Sequence, residues 1–213
     1  MSLYHLAKLT RIPRKIRMYF YIQWNRLIFR LYGVRFGKNM CIHNRIYITK
    51  HPTAQIVIGK NLTFTSGEAF NPLCRNIRGC IYAMKDASIH IGDNVGISSA
   101  CIWAKEKINI GNHVLIGGDS IILDTDAHHL DYKIRRDKNI DQDGYTIDNL
   151  TAASAPITIE DDVLIGTRCI ILKGVTIGAR SVIGSGSVVT KSIPADCIAA
   201  GNPCKVIKRT INE

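Results

Sequence analysis

A chain of 213 residues with 46% apolar and 21% charged side chains has the balance of one globular domain plus an appendage, and excludes a disordered chain. It holds no run of about 18 apolar residues to cross a bilayer. The net charge of +11 belongs to one end: residues 1–67 hold twelve Lys or Arg and no acid, while residues 68–213 hold sixteen bases against seventeen acids.

The first residues carry Lys8, Arg11, Arg14, Lys15 and Arg17, without the apolar stretch or cleavage site of a signal peptide. Seven cysteines with no CxxC pair argue for reduced thiols and against a disulfide framework or a metal site, so a cytoplasmic protein is expected. Pro13 suits a helix start and Gly33 a stop, while Ile16, Phe20, Trp24, Leu27 and Leu31 share one face. Residues 1–35 therefore read as a basic amphipathic helical segment. Such a helix can cap the open end of a repetitive domain, or lie on the inner face of an anionic membrane. Nucleic acid is not an expected partner, because no helix-turn-helix, RRM or zinc-finger pattern accompanies the charge.

From residue 36 a period of six takes over. An aliphatic residue recurs at Ile159, Ile165, Ile171, Ile177, Ile183 and Val189 without a slip. Upstream the same step gives Phe36, Ile42, Ile48, then Ile58, Phe64, Phe70, then Ile91, Ile97, Trp103, then Ile110, Ile116, Ile122. Neither a helix nor plain alternation repeats every six residues. A parallel β-helix over 36–208 does, with one short strand and one bend per hexad and the aliphatic side chain inward. Gly, Asn and Asp then supply backbone freedom at the bends. Residues 71–90 and 128–156 break the period and are too long for bends, which marks them as candidate functional loops.

The repeats resemble those of the hexapeptide-repeat acyltransferases, whose pattern is [LIV]-G-x-x-x-x. The resemblance implies an all-β fold, a left-handed parallel β-helix with three hexads per triangular coil; the usual crossover rule would have given the opposite hand. It also implies a homotrimer and acetyl-CoA as donor, with no metal.

The run DTDAHHLD is similar to the family's segments bearing the general base. On that match His128 is the base, with Asp126 and Asp131 beside it as substrate-binding carboxylates. A match off by one residue would make His129 the base. A sugar hydroxyl is a weak nucleophile, so a neutral imidazole within about 3 Å must take its proton. Ser98 or Ser99 occupies the place where maltose and galactoside acetyltransferases hold the acceptor with Asn. The final segment, closing on GNPCKVIK, is similar to the family's acetyl-CoA segment. By that match Thr167 meets the thioester end, Ser185 and Thr190 line the pantetheine track, and Lys205 and Lys208 face the phosphates. The 209–213 tail lies beyond it.

The chain is more similar still to acetyltransferases of capsule and exopolysaccharide clusters. The expected activity is O-acetylation of a saccharide, nucleotide-sugar or lipid-linked sugar. An antibiotic, serine or amino-sugar acceptor, or a non-catalytic binding β-helix, are the alternatives. A γ-carbonic anhydrase would need an H-x-x-x-x-H pair that the sequence lacks.

Overall fold

The computed structural model describes residues 12–67, 73 and 76–209. Lys8, Arg11 and Phe70 lie outside the described residues. Helix α1 (Ile12–Leu31) has Pro13 in its first turn, where a missing N–H costs nothing. It ends at Gly33 with φ 68°, where the N–H groups of Gly33 and Val34 donate to the carbonyls of Arg30 and Phe29, each at 2.9 Å. This is the Schellman arrangement that favours Gly.

Six coils come after the helix. The first is β1 (Arg35–Phe36), β2 (Cys41–His43) and β3 (Tyr47–Lys50). The second is β4 (Gln55–Ile58), β5 (Thr63–Thr65) and β6 (Cys80–Ala83), and the third β7 (Ser88–Ile91), β8 (Gly96–Ser98) and β9 (Cys101–Ala104). The fourth is β10 (Lys107–Ile110), β11 (Leu115–Ile116) and β12 (Ile121–Leu123). After an insertion holding the short helices α2 (Tyr132–Arg135) and α3 (Ile147–Thr151), the fifth coil is β13 (Ile157–Ile159), β14 (Leu164–Ile165) and β15 (Ile170–Leu172). The sixth is β16 (Thr176–Ile177), β17 (Val182–Ile183) and β18 (Val188–Val189), before β19 (Cys197–Ala200) and β20 (Lys205–Arg209).

Equivalent strands stack in parallel into three sheets. Face 1 begins with β1, face 2 with β2 and face 3 with β3. Strand β20 turns back antiparallel on β19 and covers the edge of face 2. The six aliphatic residues from Ile159 to Val189 are all buried, each contributing roughly 1.5–3 kcal/mol.

Two expectations need correction. Ile122 stacks on Ile102, so the step from Ile97 is five residues, and Trp103 stands on the outer surface of face 3. The break expected at 71–90 falls instead between Thr65 and Cys80, because Cys80–Ala83 and Ser88–Ile91 are regular strands. The second break runs from 124 to 156, slightly wider than expected.

The bends also divide their labour differently. A Cβ on Gly92 would lie 2.6 Å from the Gly111 carbonyl oxygen, so this Gly serves the close approach of coils. The left-handed residue comes two positions later, as at Asn61 (φ 58°) and Asn94 (φ 58°). Their amides form a ladder, with Asn61 Nδ2 donating to Asn94 Oδ1 at 2.8 Å.

Helix α1 caps the first coil with Ile22, Asn25 and Phe29. Asn25 Nδ2 donates to the carbonyls of Ile42 at 3.0 Å and Asn44 at 2.8 Å. The stripe from Ile16 to Leu31 points the other way and is exposed. No helix among the described residues is long and apolar enough to cross a membrane.

Candidate active site

The insertion leaves the edge between faces 3 and 1, where β12 would otherwise turn into β13. Asp124 fixes its departure. Its buried carboxylate accepts the N–H groups of Lys105 (2.7 Å), Glu106 (2.9 Å) and Lys107 (2.7 Å) from the coil before. Burial pushes this carboxyl up, against the pull of the three donors.

His128 lies four residues later, after a turn in which Ala127 takes φ 60°. Its Nδ1 lies 2.5 Å from Asp148 Oδ2, and the other oxygen of Asp148 accepts the His129 N–H at 2.6 Å. Asp148 is nearly buried, with 8% of its side chain exposed, whereas the His128 side chain is 65% exposed. The His128 contact holds the Asp148 carboxyl below the usual carboxylate range, chiefly through that hydrogen bond. With Nδ1 donating to a carboxylate, Nε2 carries the lone pair. It is an imidazole whose open nitrogen can accept a proton.

His129 is differently employed. Its Nδ1 accepts the Asp131 N–H at 2.9 Å, and Asp131 in turn caps α2 by accepting the Lys133 N–H at 2.8 Å. Asp126 is paired with Lys173 of the fifth coil.

Helix α3 positions Asp148, and three contacts hold it. Thr146 caps its start, and Asn149 Nδ2 donates to the Ala127 carbonyl at 3.1 Å. Lys105 Nζ donates to the carbonyls of Asn149 (2.8 Å), Leu150 (2.8 Å) and Ala152 (2.5 Å) at its other end. An ammonium there meets the negative end of the helix, although burial lowers its affinity for the proton. Asp148 and Lys105 escape a reading of the sequence. Each lies about twenty residues or more from its partner with no regular spacing, and only Thr146-x-x-Asn149 hints at a capped helix.

Three of the remaining candidates gather away from His128. Ser98, Thr167 and Ser185 line one groove of 390 Å³ on the outer surface of face 2, floored by Leu115 and Leu164. The Thr167 N–H donates to Ser185 Oγ at 3.1 Å. Ser99 is turned inward, where its Oγ accepts the Gly67 N–H at 3.0 Å and supports the bend, so it is withdrawn from any ligand. Thr190 comes directly after β18, on the same edge as His128. Lys205 and Lys208 are exposed on β20. Among the described residues no group of His, Cys, Asp or Glu gathers that could hold a metal ion.

Residues 156–191 match the family described as the hexapeptide repeat of succinyl-transferase. Over 134 residues the chain is 38% identical to galactoside O-acetyltransferase of Escherichia coli K12, covering 62% of this chain and 59% of that one. The match thus spans less than two thirds of the relative's length. A solved galactoside acetyltransferase in complex with coenzyme A superposes with a TM-score of 0.52 at 26% identity, covering 95% of this chain and 81% of that one. A variant of an N-acyltransferase from Bacillus cereus, in complex with dTDP and coenzyme A, has a TM-score of 0.61. At 20% identity, covering 88% of this chain and 89% of that one, it speaks for the fold alone. The β-helix is that of the hexapeptide-repeat acyltransferases. Its coil is the left-handed one.

Proposed function

We propose that the protein is an acetyl-CoA-dependent O-acetyltransferase acting on a sugar hydroxyl, with His128 as general base. The observation that carries this is the His128–Asp148 pair: a buried carboxylate fixes Nδ1 and leaves Nε2 open to solvent. Nε2 takes the proton as the hydroxyl oxygen attacks the thioester carbonyl. The C–S bond then breaks, and the proton passes to the departing thiolate. Both substrates react directly, so positioning supplies much of the rate and no covalent enzyme intermediate is needed.

The galactoside acetyltransferase bound to coenzyme A supports the same donor here. Thr167 and Ser185 would track the pantetheine along the face 2 groove, with Lys205 and Lys208 toward the phosphates. In one copy this groove and His128 occupy different edges, a face of three or so residues apart, on the order of 10 Å. The site we infer therefore forms between neighbouring copies in a homotrimer, one supplying His128 and Thr190 and the next the groove. Leu130 in the insertion, 81% exposed, suits such a contact.

The acceptor we favour is a sugar of a cell-envelope or capsular polysaccharide precursor, with Ser98, Asp126 and Asp131 near it. Release of free CoA from acetyl-CoA across a panel of nucleotide sugars and oligosaccharides tests this. Turnover only with an amine, an antibiotic or serine would move the acceptor class. No binding of acetyl-CoA would leave a non-catalytic β-helix.

Location at a membrane surface belongs to the same proposal. With α1 capping the coil through Asn25 and Phe29, its opposite face presents Ile16, Phe20, Trp24, Leu27 and Leu31, flanked by Lys15, Arg17 and Arg30. Each base near an anionic surface is worth on the order of 1 kcal/mol. Co-sedimentation should favour phosphatidylserine vesicles over neutral ones, and less so for Phe20→Ser with Leu27→Ser. Equal partition to both vesicle types, or a change of oligomeric state in the double variant, would assign the stripe to another copy.

A further inference from the structure

A second cleft lies on the outer surface of face 3. The insertion folds back over the first three coils there and encloses 710 Å³. The walls are aromatic: Tyr47, Tyr82 and Trp103 rise from successive coils, and Tyr145 comes from the insertion. Tyr82 and Trp103 are neighbours in register, their rings edge to face at 5.2 Å and 85°.

The roof of this cleft is pinned. The Asp143 carboxylate takes Lys85 Nζ at 2.7 Å and lies 3.4 Å from His51 Nε2. Cys80 and Cys101, also in the wall and neighbours in register, are free thiols, and the Cys101 thiol beside it together with burial pushes the Cys80 thiol up. Polar groups are nonetheless present where an apolar ligand would not need them. Thr49, Tyr82, Tyr145, Asp143 and Asn149 bring hydrogen-bonding side chains to the cleft lining. Asn149 connects the cleft to the chemistry, since it lines the cleft and also holds the Ala127 carbonyl beside His128.

A pyranose ring matches this set of groups. One of its faces is a patch of C–H groups that packs on aromatic rings, and its rim is a belt of hydroxyls that exchange hydrogen bonds with groups such as the Tyr hydroxyls, Asn149 and Asp143 of the lining. We propose that the face 3 cleft binds a sugar ring of the acceptor saccharide, with Tyr82 and Trp103 beneath the ring and Tyr145 above it. The bound ring holds the acceptor so that a hydroxyl farther along reaches His128. This rests on the acyl-transfer reading and adds the specificity-determining surface to it.

Two tryptophans are present, so a Trp24→Phe background leaves Trp103 as the sole indole. Its emission is monitored during titration with methyl galactoside, methyl glucoside, methyl mannoside and lactose, with adenosine as a stacking control. At least one sugar should give a saturable change. Tyr82→Ala and Tyr145→Ala should each weaken it tenfold or more, while Tyr82→Phe keeps most of it. In transfer assays the same alanine variants should raise KM for that sugar and leave KM for acetyl-CoA unchanged. Both rings stand outside the core, so circular dichroism should be unaltered. Transfer to a sugar whose KM neither variant moves overturns the cleft and leaves acyl transfer standing. Emission that responds to no sugar, or to adenosine alone, overturns it as well. Sugar binding without acetyl-CoA binding or transfer would keep the cleft and sink the acyl-transfer reading.

Discussion

The coils of residues 157–189 and the insertion of residues 124–156 are neighbours held together by different means. The coils bury an aliphatic side chain on every face of every turn. In the insertion the buried residues are Asp124, Thr125, Asp148 and Ala152, and large apolar side chains such as Leu130 and Ile140 are exposed. One region rests on hydrophobic burial repeated at a fixed period, the other on a few charge-assisted hydrogen bonds to the coil beside it. The lesson is a division of labour. The periodic part supplies rigidity, and the aperiodic part, fixed at a few polar points, carries the imidazole.

If that division holds, stability and turnover should respond to different substitutions. The largest expected effect is on chemistry: His128→Ala should lower transfer by about 10²–10⁴-fold, roughly 3–5 kcal/mol of transition-state stabilisation. Circular dichroism should stay as it is, because the coils do not depend on the His128–Asp148 pair. His129→Ala should cost far less, because the His129 ring is engaged by the Asp131 N–H. Near wild-type turnover of His128→Ala would remove the base assignment, and a dead His129→Ala would shift it by one residue. The Asp148 carboxyl, held below its ordinary value, gives its full support to the folded insertion above the usual carboxylate range, and that support is lost as pH falls through this range to the lowered folded value.

The mirror experiment is Ile165→Ala, in a fully buried position on face 2. It should destabilise the fold by about 2–5 kcal/mol through lost burial and a cavity, read from denaturant unfolding, with kcat largely kept under native conditions. A variant that loses turnover before stability would blur the two regions into one.

The same contrast explains what the sequence made legible. Six uninterrupted steps from Ile159 to Val189 announce a β-helix because a period of six has no other simple source. The phase failed at Trp103, where one bend is a residue shorter and Ile102 takes the core position. His128 stood out as a candidate because its motif is local. Asp148 and Lys105 did not, since their partners are set by how an aperiodic loop returns to the coil. In α1 the apolar stripe was visible, but not that Asn25 and Phe29 opposite it would do the capping.

A smaller effect tests whether Lys105 is the fastening of the loop. Lys105→Met removes three hydrogen bonds to the end of α3 while keeping most of the side chain's bulk. Asp148 should then hold His128 less firmly, and kcat should fall about tenfold, the cost of roughly 1.4 kcal/mol of positioning. KM for acetyl-CoA should not move, and Lys105→Arg should recover part of the rate. A melting temperature that drops while kcat is unchanged would make Lys105 a part of the coil.

The smallest effect is expected where the regular structure runs out. Lys205 and Lys208 are exposed on β20, the antiparallel strand that closes face 2, and carry no contact that the fold needs. Lysines so placed can meet phosphate as point charges without straining the core. The double variant Lys205→Ala, Lys208→Ala should raise KM for acetyl-CoA several-fold with kcat kept, the signature of binding lost equally from ground and transition states. Added salt should narrow the gap between variant and wild type, because exposed charges are screened within about 10 Å at 0.1 M. An unchanged KM with a lowered kcat would place the phosphates elsewhere on the coil.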